Sequence, residues 1–208
     1  MTHSLYRRGS VESLQNDFVI LITPAVNINH KNSKSKLIEI LDFIKELGPV
    51  NIGSYDCGNI FTGATIEKIQ QTLSETPRVR CVFDSYEKVK RLVKELKERE
   101  YGYSVTVSGL IDDVMMMSKE LDIKPHSVNL SIGIHGRVEK LPEEGNLNLI
   151  TMCGHGMVSA SLVKMVVERV NKGVWDLDRA AKEIAKPCHC GIFNVERAKK
   201  LLQQNISR

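Results

Sequence analysis

Asp17-Phe18-Val19-Ile20-Leu21-Ile22-Thr23-Pro24-Ala25 is an almost unbroken apolar run closed by a proline. A run of strand length without polar alternation offers no face to water, so it predicts a central strand buried on both sides. Behind it, a polar loop over 26–33 leads to Leu37, Ile40, Leu41 and Ile44, which recur at helical spacing until Gly48-Pro49 stops them. Strand, loop and helix in that order begin an α/β unit, and α/β is the fold class expected.

The pattern restarts downstream. Val50-Asn51-Ile52-Gly53 is a short strand, Thr65 is placed to cap a helix running to about residue 73, and Pro77 marks a boundary. Residues 79–83 read as a strand, and Ser85 caps a helix whose Val89, Leu92, Val93 and Leu96 form one apolar stripe. With a strand at 103–108 this makes a βαβ unit. A helix over 111–121 follows, in which Met115, Met116 and Met117 serve as adaptable core filler. Ser127-Val128-Asn129-Leu130-Ser131-Ile132-Gly133-Ile134 alternates as a half-exposed strand does, and 147–151 reads as another strand. Three helices then follow, capped by Ser159, Asp176 and Asn194. The expected organisation is an N-terminal α/β subdomain over 1–76, a βαβ subdomain over 77–145, and a strand plus helical segment over 146–208. These parts share mixed sheets and also fit one compact domain.

With 29 Lys+Arg against 25 Asp+Glu, a net charge of +4 and 42% hydrophobic residues, the composition is that of an ordinary globular protein. No apolar run nears the roughly 18 to 20 residues of a membrane span, and no apolar stretch follows Arg7-Arg8 as a secretory signal would require. The reading is a cytoplasmic protein without a membrane partner. The charge forms no polybasic block, and five Tyr, five Phe and one Trp leave no aromatic-basic interleaving, so nucleic acid is excluded as the expected partner. Five cysteines in a reducing compartment point to metal ligation, reactive thiols or burial rather than disulfides.

Three of those cysteines occupy two glycine-containing turns, Cys153-Gly154-His155-Gly156 and Cys188-His189-Cys190-Gly191, each just ahead of an expected helix. A Cys-X-Cys turn presents two sulfurs to one ion, and a third thiolate from the other turn completes a soft ligand set. Three thiolates leave one iron of a [4Fe–4S] cluster open; His155 or His189 as a fourth donor instead closes a Cys3His zinc site. Cys81, inside a strand, is expected in the core, and Cys57 lies in a polar loop where a role stays open.

A second reading uses no metal. The turn at Cys153 precedes a helix, whose free N–H groups and positive dipole end would stabilise a thiolate there as base or nucleophile. Met152-Cys153-Gly154-His155-Gly156 resembles the nucleophile turn of the proline racemase family, which implies that Cys153 removes an α-proton while Cys188 or Cys190 acts from the opposite face. The resemblance covers five residues of 208, and the second turn departs from that family's motif. His135, between Gly133 and Gly136, and Arg137, a bidentate anion partner, flank the strand expected at 127–134 and join Cys153 and His155 as candidate catalytic and substrate-binding residues. His126 lies at the other end of that strand.

The function expected is therefore an enzyme holding an iron–sulfur cluster or zinc through Cys153, Cys188, Cys190 and His155, acting on a small anionic metabolite in lyase or isomerase chemistry, with a homo-oligomer allowed. The alternatives are a metal-free thiol isomerase or racemase, and a non-catalytic structural-zinc or redox-sensing module.

Overall fold

In the computed structural model, which describes residues 6–73 and 78–206, the apolar run becomes β1 (Phe18–Thr23), paired on both sides. Its neighbours are β4 (Val79–Phe83) and β5 (Ser104–Ser108). With β2 (Asn51–Ser54) on the far side of β4 and β3 (Gly58–Asn59) outside that, the sheet has the order β3-β2-β4-β1-β5 and is antiparallel at every pairing. The fold is α/β with a helical C-terminal third. Strands β4 and β5 are joined by a helix as expected, but β1 is inserted between them, which makes the unit a split βαβ.

After the short helix α1 (Val11–Leu14), alternation along β1 divides its side chains between two cores. Phe18, Ile20 and Ile22 face a layer formed by α2 (Ser33–Leu47), α3 (Ile66–Gln71), α4 (Tyr86–Glu98) and α5 (Ile111–Glu120). Val19, together with Val82 of β4, faces a layer formed by α6 (Glu144–Ile150), α7 (Ala160–Asn171), α8 (Leu177–Ala185) and α9 (Val195–Ile206). Each large aliphatic or aromatic side chain so enclosed contributes about 1.5 to 3 kcal/mol. Cys81 lies in the first core, fully buried, as expected of a strand cysteine.

The expected caps are in place. Thr65, Ser85, Ser159 and Asp176 each accept a backbone N–H of the helix that follows, and Asn194 accepts that of Arg197. Gly48 ends α2 at φ 65°, the left-handed region glycine favours. Three expectations are corrected. Residues 147–151 belong to α6 and its end rather than a strand, because a short apolar run fits a buried helical turn equally well. Residues 127–134 alternate but pair with nothing among the described residues, leaving Val128, Leu130 and Ile132 exposed. Of the three methionines, only Met117 is buried; Met115 and Met116 are exposed. The break expected at residue 77 falls on 74–77, outside the described residues, and strands from both sides of it share the one sheet. Among the described residues no helix is long and apolar enough to cross a membrane.

The helical layer is tied to the sheet by a buried charge cluster. Asp17, at the mouth of β1, accepts from Arg7 and, through its other oxygen at 2.7 Å, from Arg197 of α9. Arg197 also donates to the Arg8 carbonyl, and Arg7 donates to the carbonyls of Met152 (3.0 Å) and Ile192. Arg7 thus holds the residue just before Cys153 and the residue two beyond Cys190 with one guanidinium.

Candidate metal centre

Both cysteine turns are built alike. The Gly156 N–H donates to the Cys153 carbonyl at 3.0 Å, and the Gly191 N–H to the Cys188 carbonyl at 3.0 Å. Each closing glycine has positive φ, 70° and 74°, so the chain leaves both turns in a conformation a β-carbon resists. Gly191 has a further reason to be glycine: a β-carbon there would lie 2.1 Å from the Gly53 nitrogen, and one on Gly53 would lie 2.6 Å from the His189 carbonyl oxygen. The second turn therefore sits backbone against backbone on β2. Fully buried Asn59 fixes it from the other side, its amide reaching the carbonyls of Ala185 (3.1 Å) and Cys188 (2.9 Å) at the end of α8. Asn51, also fully buried, donates to the Phe193 carbonyl at 3.0 Å.

This seating brings the two turns together. Cys188 Sγ is 4.0 Å from Cys190 Sγ, and Cys190 Sγ is 3.6 Å from His155 Nδ1. Cys153 is close enough to Cys188 for the two thiols to act on each other electrostatically, so the group comprises Cys153, Cys188, Cys190 and His155. The three cysteines are 3%, 1% and 1% exposed in that sequence order, whereas His155 is exposed. The other ring nitrogen of His155, Nε2, shares a hydrogen bond with the Tyr55 hydroxyl, and the two rings meet edge to face at 5.5 Å. The Arg80 guanidinium lies over the Tyr55 ring, 4.3 Å from its centroid.

The electrostatics follow from this packing. Cys153 is pushed down to about 6, first because the Cys188 thiol donates to it and further by the N–H groups of Met157, His155 and Val158, with burial opposing. The expected cause, a helix N-terminus, is not the one acting: α7 starts at Ala160, and the lowering comes first from Cys188 and then from the N–H groups of Met157, His155 and Val158. Cys190 is likewise lowered, by Cys188 first and with help from the Ile192 N–H and Arg80. Cys188, donor to both neighbours and buried, is pushed far up and keeps its proton in the metal-free chain. Burial, and Arg80 after it, lowers His155, leaving a neutral imidazole at pH 7. Backbone N–H groups converging on sulfur are also how thiolate ligands are supported in metal centres.

A tetrahedral ion with bonds of about 2.3 Å to sulfur and about 2.05 Å to imidazole nitrogen separates two sulfurs by about 3.8 Å and sulfur from nitrogen by about 3.6 Å. The Cys188–Cys190 and Cys190–His155 spacings, 4.0 and 3.6 Å, are edges of that size. Among the described residues, no three His, Cys, Asp or Glu side chains surround a common point. In this arrangement the donors do not enclose an ion.

The other candidates lie elsewhere. His135 donates to the Ile132 carbonyl (2.9 Å) on an exposed segment, and Arg137 is exposed at the start of a short 3-10 turn; neither touches a cysteine of the group. His126 lines a cavity of about 680 Å³ between β5 and 123–131, with Thr106, Ser108, Met117 and Asn129, which contains none of the three thiols. His189, inside the second turn, is exposed. Cys57 packs against the opposite core, near the hydroxyls of Ser54 (3.1 Å) and Thr72 (3.8 Å). Tyr55, Arg80, Asn59 and Arg7 escaped the reading of the sequence. One signal was available, a lone arginine in the apolar strand Val79-Arg80-Cys81-Val82-Phe83. No family model, curated protein or solved structure matches the chain.

Proposed function

We propose that this chain is a metalloprotein in which Cys153, Cys188 and Cys190 hold one soft divalent ion, zinc foremost, with His155 as fourth donor, and that the centre fastens the C-terminal helices to the sheet. The observation that carries this is the run of sulfur–sulfur and sulfur–nitrogen separations at 4.0 and 3.6 Å in a buried pocket. Sulfurs around a cubane cluster stand about 6 to 7 Å apart, so these spacings support a single ion over an iron–sulfur cluster. In the tautomer that donates Nε2–H to the Tyr55 hydroxyl, His155 would keep its Nδ1 lone pair for the ion, the usual arrangement of a ligating histidine and its outer partner. When bound, the ion would supply a fixed tetrahedral joint between the two turns. The chain's own residues do the rest: Gly53 and Asn59 seat the second turn, and Arg7 binds carbonyls beside both.

A catalytic reading draws on one observation, that His155 and Tyr55 are the exposed members of the cluster. An anionic metabolite taking the place of His155 would meet the ion and the Tyr55 hydroxyl together. A thiol racemase reading has less support, because Cys153, Cys188 and Cys190 are all buried, 3%, 1% and 1% exposed.

Co²⁺ titration of the reduced, metal-free chain under anaerobic conditions tests the proposal. The expected result is one ion per chain, with intense sulfur-to-cobalt charge-transfer absorption and tetrahedral d–d bands, both lost in Cys188→Ser. Octahedral, weakly absorbing Co²⁺, or no saturable binding, would refute it.

A further inference from the structure

The two edges of the sheet are finished differently. At one, β3 is two residues long, buried, and tied through the Asn59 amide to the end of α8. At the other, β5 offers Ser104-Val105-Thr106-Val107-Ser108, without a charge or a proline, and among the described residues no strand pairs with its outer side. Sheets normally guard such an edge with charge, proline or a covering element, because an unguarded one pairs with a matching strand from another chain. Here the cavity of about 680 Å³ runs along all of 103–111, and its far wall is 123–131. From 127 to 131 the backbone N–H and C=O groups of that wall have no partner among the described residues. A strand lying in the cavity can therefore hydrogen-bond to β5 on one side and to this wall on the other.

The lining says what that strand must look like. One of its faces meets Val93, Leu96 and Met117, apolar members of the α2–α5 layer, and the other lies beside Ser104 and Thr106, which alternation turns away from that layer. The charges of the lining are already committed or in water: Arg7 pairs with Asp17, Lys97 is held by the carbonyls of Leu121 and Asp122, and Lys124 is exposed. The cavity therefore calls for an uncharged strand alternating apolar with small polar residues. The chain carries one, unpaired: Val128, Leu130 and Ile132, which are 51%, 65% and 86% exposed, alternate with Ser127, Asn129 and Ser131, and 127–134 contains no charge. We infer that two copies of this chain dimerise by exchanging this segment, 127–134 of each lying in the cavity of the other as a strand beside β5. Two-fold symmetry closes the arrangement. Across the interface the order is β5, the second copy's 127–134, the first copy's 127–134, and the second copy's β5, so one sheet runs through the dimer and both β5 edges are paired. Ile111 and Met115, exposed on the same cavity, are covered with it.

The test follows the full chain under reducing conditions by sedimentation velocity from about 1 to 100 μM, a span that brackets moderate affinities. The expected result is a reversible monomer–dimer equilibrium in which the amides of 127–131 exchange hydrogen slowly in the dimer and fast on dilution. Val128→Lys and Leu130→Lys change side chains that are exposed in the single chain, so each should leave its fold intact. Each should weaken the dimer about 100-fold or more, because the lost burial counts twice in a two-fold interface. Ile28→Lys, at an apolar residue 83% exposed outside the cavity, should leave the dimer unchanged. If the lysine variants do not fold, the concentration dependence of exchange in the wild type decides. A chain that stays monomeric over the whole range would overturn the inference. So would a dimer that Leu130→Lys leaves intact, or a dimer whose 127–131 amides exchange as fast as those of the monomer. Slow exchange at 127–131 in the monomer would overturn it too, by assigning the segment to its own β5.

Discussion

Asp17→Ala should lower the free energy of unfolding by about 3 to 5 kcal/mol, the cost of removing one partner from a buried ion pair. At about 2 to 4 °C per kcal/mol for a chain of this size, that is a fall of about 6 to 20 °C in Tm. The aspartate is fully buried and accepts from two guanidiniums, so its loss strands two cations rather than one. The damage should reach the cysteine turns, because Arg7, freed from Asp17, is also the residue that holds the Met152 and Ile192 carbonyls. Exposed ion pairs make the control: Glu67→Gln breaks the Lys45–Glu67 contact, whose side chains are 57% and 60% exposed, and should leave the melting temperature where it is. Thermal and urea unfolding of both variants measure this. An Asp17→Ala chain within 1 °C of wild type would show that the buried cluster does not tie the helical layer to the sheet.

Chelation should have an effect of similar size. An ion present at about 1,000 times its dissociation constant stabilises the folded chain by about 4 kcal/mol, so stripping it should lower Tm by about 8 to 16 °C. The reason is geometric. Both turns leave their cysteines through positive-φ glycines, and the second turn packs backbone against backbone on β2, so an ion held by both turns would add a direct link between residues near 153 and residues near 190 beside the carbonyl contacts of Arg7. Cys188→Ser should melt near the chelated wild type and should no longer respond to chelator. A wild-type shift under about 2 °C, or a serine variant that still responds, would contradict a joint of this kind.

Much of this architecture was legible in the sequence because it is local. The unbroken apolar run of β1, the capping residues Thr65, Ser85, Ser159, Asp176 and Asn194, and the stop at Gly48 each depend on neighbours within one turn. The nearness of the two cysteine turns was expected because Gly- and His-flanked cysteines are unusual in cores, yet all three thiols lie in the core of the C-terminal layer, which their flanking residues did not foretell. The insertion of β1 between β4 and β5 was not, because nothing in either strand records which distant strand will part them. The alternation at 127–134 misled because a strand pattern needs a partner, and β1 already occupies the inner side of β5. Arg7 looked like an ordinary basic terminus; its partners lie 145 and 185 residues away along the chain. Arg80, a lone charge in an apolar strand, passed unnoticed, because its place beside Tyr55 depends on residues 25 apart being brought together by the pairing of β2 with β4.

The most direct test of the central claim is the metal and acid-labile sulfide content of the chain purified anaerobically without added metal. The account predicts one zinc ion per chain, no labile sulfide and no visible absorption, with the zinc absent from the Cys153→Ser, Cys188→Ser and Cys190→Ser variants. About four irons with equal sulfide and a broad visible band would replace the single-ion centre with a cluster, and a chain free of stoichiometric metal whose thiols all titrate would contradict the centre altogether.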